Sequence, residues 1–345
     1  MTTFALALPL LTLTRIGAAA GLGLALLLLL PGCDQSVSAP ERLVLAEGRQ
    51  PAFGLLYIAE REGFFRDEGL EVSFQHHDSG RDALAAVVAG QADVATPFDI
   101  PVVINLQQGR PIRVLSTLSV MQGYNAVIAR RDRGITAPDQ LRGKRIATVP
   151  NSSADYALSL VLTNAGVAPT EVELVPQSPA AAAEALIRGE VDAAAIWSPH
   201  TQHVENQLGA AAVAPFTSPL YMETATLSTT ESVLRTRPEA LKRLLRALVR
   251  AEDLATRDPE RARQHVTATL DGLPAEDVRE TWRMLQPQVR LDNLLLTTLN
   301  GELAWYASLP GQAETAPVPG DLRPFLAAEL LRGVRPQAVT LRQDL

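Results

Sequence analysis

SGRDALAAVVAGQADVAT, residues 79–96, and SPAAAAEALIRGEVDAAAIW, residues 178–197, decide how this chain is built. Each opens on a serine suited to a helix N-cap and runs along an apolar helical face. Each then reaches a glycine, Gly90 or Gly189, eleven residues after its serine, and an aspartate, Asp93 or Asp192, three residues further on. Short β-rich runs follow, Asp93–Thr96 and Val191–Ile196. Strands also precede each copy: Arg42–Glu47 and Leu70–Phe74 before the first, Lys144–Val149 and Glu171–Val175 before the second. Helices at Leu55–Glu62 and at 154–165, the latter capped by Asn151-Ser152-Ser153, complete the alternation. Strands alternating with helices predict parallel sheets with right-handed crossovers. The copies stand 99 residues apart, too far for a solenoid period. The expectation is two similar α/β lobes.

Working outward, Tyr124–Arg130 reads as a strand crossing into the second lobe and Ala225–Leu234 as the crossing back. Tyr124, Asn125 and Thr226 are therefore the expected hinge. The remainder reads as helices at 238–256, 259–270, 275–285, 294–307 and 322–331. The predicted divisions are 42–124 for the first part of lobe 1, 125–222 for lobe 2, and 223–345 for the return to lobe 1 with its C-terminal helices.

The 345 residues exceed what one hydrophobic core usually organises, which agrees with two lobes. With 47% hydrophobic and 20% charged residues the composition is that of a folded globular chain. A net charge of −7 argues against a general nucleic-acid binder. One cysteine excludes a disulfide framework and any cysteine-rich metal or iron–sulfur site.

The stretch from Ile16 to Gly32 carries no charge, follows Arg15, and is almost pure leucine over 22–30. It is shorter than a relaxed membrane span and has the layout of a secretory signal. Leu30-Pro31-Gly32-Cys33 resembles the lipobox of bacterial lipoproteins. This resemblance implies a signal peptide over 1–32, cleavage before Cys33, lipidation of Cys33, and a flexible tether over 33–41. Asp34 tilts the expected location toward the inner membrane.

In an open parallel sheet, ligands bind beyond the carboxyl ends of the strands, where helix N-termini present free N–H groups to anions. This rule selects Gln50, Ser79, Gly80, Arg81, Thr96, Phe98 and Asp99 in lobe 1. In lobe 2 it selects Asn151, Ser152, Ser153, Ser178, Trp197 and Ser198. Trp197 is expected to stack on a ligand, and Asp99 to meet an amine. Each serine is equally readable as a plain N-cap. His200 and His203 have a spacing that places two ligands on one helix face, but no third ligand stands nearby, and His76-His77 point to opposite faces of a strand. No metal site and no cofactor are expected. Neither a Gly-x-Ser-x-Gly elbow nor a Walker-type phosphate loop is present, so no enzyme is expected.

The order PAFGLLYIAEREGFFRDEGLEV, DSGRDALAAVVAGQADVAT, QQGRPIRVL, LRGKRIATVPNSSADYAL and ALIRGEVDAAAIWSPH resembles the solute-binding proteins of nitrate/sulfonate/taurine-type ABC transporters, whose relatives include binders of thiamine-precursor pyrimidines. The resemblance implies a type II periplasmic-binding-protein fold, two Rossmann-like lobes on a two-strand hinge. It also implies ligand loops at Gln50, Ser79-Gly80, Thr96, Asn151-Ser152 and Trp197. Three departures bear on the ligand. The loop after the third strand reads Thr-Pro-Phe-Asp, Ser198 occupies an often acidic position, and Asp78 and Asp99 beside the cleft disfavour a small anion unless Arg49 or Arg81 offsets them. The expected function is capture of a small organic anion, such as a sulfonate, by lobe closure and its delivery to an ABC importer permease with its ATPase. The expected protein is a lipid-anchored monomer on the periplasmic side of the membrane. A neutral pyrimidine-like heterocycle is the alternative ligand. A receptor-sensing subunit and a pyrimidine-precursor synthase are the alternatives from other classes.

Overall fold

Arg42–Glu47 supplies apolar residues at 43, 45 and 46, and in the computed structural model these are buried in a strand, β1 (Glu41–Glu47). The structure describes residue 3 and residues 39–309 and 320–342. Cys33 and the expected signal peptide, apart from residue 3, lie outside the described residues. Pro40–Leu345 make up one compact unit, and it holds every element named below.

After β1 the chain forms α1 (Gly54–Arg61), α2 (Phe64–Asp67), β2 (Leu70–His76), α3 (Gly80–Val88), β3 (Val94–Ala95), α4 (Asp99–Gln107) and β4 (Ile112–Gln122). There follow β5 (Asn125–Arg130), β6 (Arg145–Thr148), α5 (Ser153–Asn164), β7 (Glu173–Pro176), α6 (Pro179–Ile187), β8 (Ala193–Trp197), α7 (His200–Leu208) and β9 (Val213–Phe216). The chain returns through β10 (Met222–Thr230) and continues with α8 (Glu231–Thr236), α9 (Pro238–Arg257), α10 (Pro259–Thr269), α11 (Ala275–Met284), β11 (Leu285–Pro287), β12 (Leu291–Asp292), α12 (Asn293–Ser308), α13 (Ala328–Arg332) and β13 (Val339–Thr340).

The strands make a six-stranded sheet, β11-β4-β10-β3-β1-β2, and a five-stranded sheet, β7-β6-β8-β5-β9. Both are mixed, which corrects the expectation of parallel sheets. The β1–β2, β1–β3, β6–β7 and β6–β8 pairs are parallel as the crossovers require, whereas β10 and β5 run antiparallel to their neighbours. The two strands that cross between sheets enter each one against its own direction. Together these are the two α/β lobes of the type II periplasmic-binding fold.

Both aspartates of the repeat do one job. Asp93 Oδ2 accepts from the Val44 N–H at 2.8 Å, and Asp192 Oδ2 accepts from the Arg145 N–H at 2.9 Å. Each thus satisfies a backbone donor of the neighbouring parallel strand. The long helix α9 buries Leu241, Leu244, Leu245, Leu248 and Ala251, a stripe at helical spacing, against α1 and α2. Through it the C-terminal helices join the first sheet. The helix expected over 322–331 is instead a 3-10 turn at Arg323–Phe325 followed by the short α13. Pro324 lacks the N–H a continuous helix would use.

Candidate functional site

The two sheets present their cleft residues from equivalent ends. At the start of α3, Ser79 is extended (φ −152°, ψ 160°); its Oγ accepts from the Asp82 N–H at 3.2 Å and donates to Asp82 Oδ2 at 2.7 Å. Gly80 is demanded by packing. A Cβ there would lie 2.5 Å from the Thr96 carbonyl oxygen and 3.0 Å from Pro97 Cα. From the second sheet, α5 opens at Ser152 and Ser153. Ser152 is at the N-cap, but its Oγ donates to the Val149 carbonyl at 2.6 Å instead of capping the helix. Ser153 Oγ donates to Asp99 Oδ1 at 2.9 Å, and Arg81 Nη1 donates to the Pro150 carbonyl at 2.8 Å. These two bonds tie elements of one sheet to the other.

Gln50, Ser79, Gly80, Arg81, Phe98, Ser152, Ser153 and Trp197, all expected from the sequence, line one cleft. Its walls also include Pro101, which the sequence did not suggest, and Tyr124 and Asn125, expected only as hinge residues. The cleft holds about 320 Å³ of empty space, but the centre of a water molecule reaches only about 20 Å³ of it, so the walls stand nearly closed. Phe98 stacks on Tyr124 (centroids 5.5 Å apart, planes at 27°) and tilts against Phe53. The Tyr124 hydroxyl donates to Gln50 Oε1 at 3.0 Å, which leaves the Gln50 Nε2 hydrogens as donors.

Five expected residues lie elsewhere. Asp99 is fully buried and accepts from Ile100 N, Ser153 Oγ, Tyr221 Oη and Thr224 N at 2.8–2.9 Å, so it ties the start of α5 to the entry of β10 and presents no free oxygen to a ligand amine. Burial raises its pKa, and those four hydrogen bonds work against the rise. Thr96 is buried behind Gly80, outside the cleft lining, with its hydroxyl unpartnered among the described residues. Asn151 takes a left-handed conformation (φ 59°), is exposed, and faces a separate groove with Arg81, Pro101 and Arg110. Ser198 is buried 3.2 Å from the Thr201 hydroxyl. Ser178 caps α6 through the Ala181 N–H, on the exposed surface. Of the expected hinge residues, Thr226 is buried in β10, where its hydroxyl donates to the Pro97 carbonyl.

Sequence reasoning missed a buried acidic cluster behind the cleft. Glu223 in β10 accepts the Asn125 N–H on both oxygens, and Asn125 Nδ2 on Oε2 at 2.6 Å. Burial, with Asp99 nearby, pushes the Glu223 pKa up to about 8. Glu302 on α12 is buried with neither oxygen partnered among the described residues. Burial first, then the proximity of Asp99, pushes it well above the usual carboxylate range. The signal was available in outline: Glu223 is the one charged residue of the strand run METATLSTT. The histidines do not converge. His203 meets Glu184 at 2.9 Å, while burial holds the His200 pKa at about 4, a neutral ring.

Comparison with known proteins gives the architecture its relatives. The chain is 30% identical over 142 residues to the taurine-binding periplasmic protein of Escherichia coli strain K12, covering 41% of this chain and 44% of that protein. It is 26% identical over 179 residues to a putative aliphatic sulfonates-binding protein of Bacillus subtilis strain 168, covering 50% of this chain and 54% of that one. The chain thus spans about half the length of these curated relatives. Among solved structures, the alkanesulfonate-binding protein SsuA of Xanthomonas axonopodis pv. citri, bound to MOPS, superposes with a TM-score of 0.71 at 20% identity, over 84% of this chain and 99% of that one. The family model described as NMT1/THI5 like matches residues 50–262, more than half of the sequence, and the chain belongs to that family.

Proposed function

We propose that this chain is an exported solute-binding protein that captures a small organic anion of the sulfonate type between its two lobes and hands it to an ABC importer. The observation that carries the reading is the convergence of the α3 and α5 N-termini, one from each sheet, on one narrow cleft beside Arg81. Helix N-termini offer N–H donors and partial positive charge, and the Arg81 guanidinium adds a charge partly offset by Asp82, whose Oδ1 lies 3.1 Å from both Arg81 Nε and Nη2. The Ser79, Ser152 and Ser153 hydroxyl hydrogens are already donated within the protein, so the anion's donors are the backbone N–H groups and Arg81. The names of the curated relatives agree with this ligand class, and both describe binding proteins.

Capture works by differential affinity. A solute touching both helix termini stabilises the closed arrangement more than the open one, and only the closed surface docks productively on the permease. The Ser153–Asp99 and Arg81–Pro150 bonds support closure around β5 and β10, with Tyr124, Asn125 and Thr226 in the pivoting strands. Cys33 carries the lipid anchor in this reading, and the protein is a monomer at the outer face of the cell membrane. Among the described residues no helix is long and apolar enough to cross a membrane.

Thermal unfolding of the purified chain with taurine, alkanesulfonates, nitrate and pyrimidines tests this. A ligand at 1,000 times its Kd stabilises the native state by about 4 kcal/mol, a shift of several degrees. Sulfonates are expected to give that shift and Arg81→Ala to remove most of it. A shift with pyrimidines alone would move the reading to heterocycle binding.

A further inference from the structure

We propose that the groove outside the cleft, between α3, α4 and Asn151, is a waiting site for the anionic solute, where Arg110 holds a sulfonate while the lobes are shut. This deepens the proposed function and rests on it. The position of Arg110 follows from the stretch QQGRP, residues 107–111. Helix α4 stops at Gln107, and Gly109 takes a left-handed φ of 66°. The Gly109 N–H then donates to the Leu106 carbonyl at 3.0 Å, and the Arg110 N–H to the Asn105 carbonyl at 2.9 Å. This paired closure of a helix end fixes Arg110 on the groove rim and occupies carbonyls that would otherwise repel an anion. Arg110 is exposed, and its guanidinium forms no ion pair among the described residues.

The groove differs from the cleft in access and in charge. The centre of a water molecule reaches about 480 Å³ of it, against about 20 Å³ of the cleft, so a solute settles in the groove while the cleft is shut. Arg81 and Arg110 line it together with the amides of Asn105, Gln108 and Asn151. No acid among the described residues does, on a chain whose net charge is −7. A concave patch of one sign concentrates ions of the other from solution. The groove also joins the cleft, because Arg81 and Pro101 belong to the walls of both. Arg81 is the point of transfer. With the lobes shut its Nη1 donates to the Pro150 carbonyl, while Asp82 Oδ1 takes Nε and Nη2, each at 3.1 Å. Parting the lobes carries Pro150 away with the second sheet, and the freed Nη1 hydrogen next meets the anion waiting beside it. Arg110 therefore serves arrival and makes no contact once the solute sits between the helix N-termini.

The test is stopped-flow tryptophan fluorescence of the purified full chain mixed with sub-saturating 1-propanesulfonate, at about 20 mM and about 300 mM salt, which lengthen and shorten the reach of a surface charge. At low salt Arg110→Ala is expected to slow association about threefold and Arg110→Glu about tenfold, with dissociation unchanged, while Arg110→Lys keeps the original rate. At high salt the four proteins converge. If Arg110→Glu does not fold, Arg110→Ala decides alone. Association indifferent to these changes, or a loss of affinity carried by faster dissociation instead, overturns this inference and leaves sulfonate binding standing. Failure of the unsubstituted chain to bind 1-propanesulfonate or taurine overturns the proposed function and this inference with it.

Discussion

Ser79 and Ser178 start helices of equal length, α3 and α6, nine residues each, and both cap them through the N–H three residues on. Each helix ends before a left-handed glycine and leads to an aspartate that accepts from a neighbouring strand. Yet Ser79 is buried in the wall of the cleft and Ser178 lies on the open surface. The residue after the cap separates them. Gly80 lets the start of α3 press against the backbone of residues 96–97, under the loop carrying Gly48, whereas Pro179 merely sets the first helical φ. In the second sheet the cleft is served by α5 instead, one crossover earlier. Cap, face and stop signals place a helix along the chain. The approach of backbone to backbone decides which helix start becomes a wall.

The deepest way to break the comparison lies in β10, outside both copies. Glu223 has its pKa raised to about 8 by burial, against 4.5 unfolded. The native state therefore holds a proton that the unfolded chain releases, and the contribution of Glu223 to stability falls as pH rises from about 4.5 to about 8, then levels off. At about 1.4 kcal/mol per pH unit the total is on the order of 5 kcal/mol. Glu223→Gln lacks that slope. Urea unfolding at pH 5, 7 and 9 should show the variant gaining several kcal/mol on the parent with rising pH; parallel curves would refute the buried-acid account.

Next in size, Gly80→Val forces a side chain into the Thr96 backbone and should cost about 3 kcal/mol together with ligand binding. Pro179→Ala in the other copy should cost under about 1 kcal/mol. Similar losses at the two sites would show that the glycine is not what distinguishes the copies. A smaller contrast is expected at the aspartates. Asp93→Ala strands the Val44 N–H and releases Arg237, which Asp93 holds at 2.8 Å. That loss should be about 2 kcal/mol. Asp192→Ala strands the Arg145 N–H but loses only a 3.9 Å contact to the half-exposed Arg133, for about 1 kcal/mol. The smallest expected effects sharpen the comparison most. Ser79→Ala and Ser178→Ala should each lower stability by about 1 kcal/mol as lost caps. Only Ser79→Ala should also weaken sulfonate binding in titration, because the Ser79–Asp82 bonds fix the start of α3 whose N–H groups face the anion, and equal affinities in the two variants would remove Ser79 from the wall.

The layout of strands and helices is legible in the sequence because its signals are local: Gly90 and Gly189, the serine caps, the apolar stripe of α9. Strand direction is not, since β5 and β10 look like any apolar strand and their reversal depends on where the chain must cross. Within the cleft, topology alone is enough to find the loops beyond strand ends. Asp99 reads as a ligand contact because its position on the chain is right. Its four hydrogen bonds come from residues up to 125 positions away, which no spacing rule reaches. Asn125 and Tyr124 fall at the crossing, as expected, but nothing in the sequence marks them as wall, because a crossing strand and a cleft wall differ only in three dimensions. Glu302 is invisible for the same reason, its burial arising from the packing of α12 on α4.

The nearly shut walls around Gln50, Ser79 and Trp197 have a kinetic consequence. Space that a water centre reaches over only about 20 Å³ admits about one water, so no solute enters this arrangement by collision. Entry waits for the lobes to part. The observed rate of association therefore rises with solute concentration only until it meets the rate of opening, and then stays flat. In the proposed capture the same wait governs escape, and breaking the Ser153–Asp99 and Arg81–Pro150 bonds is part of each opening.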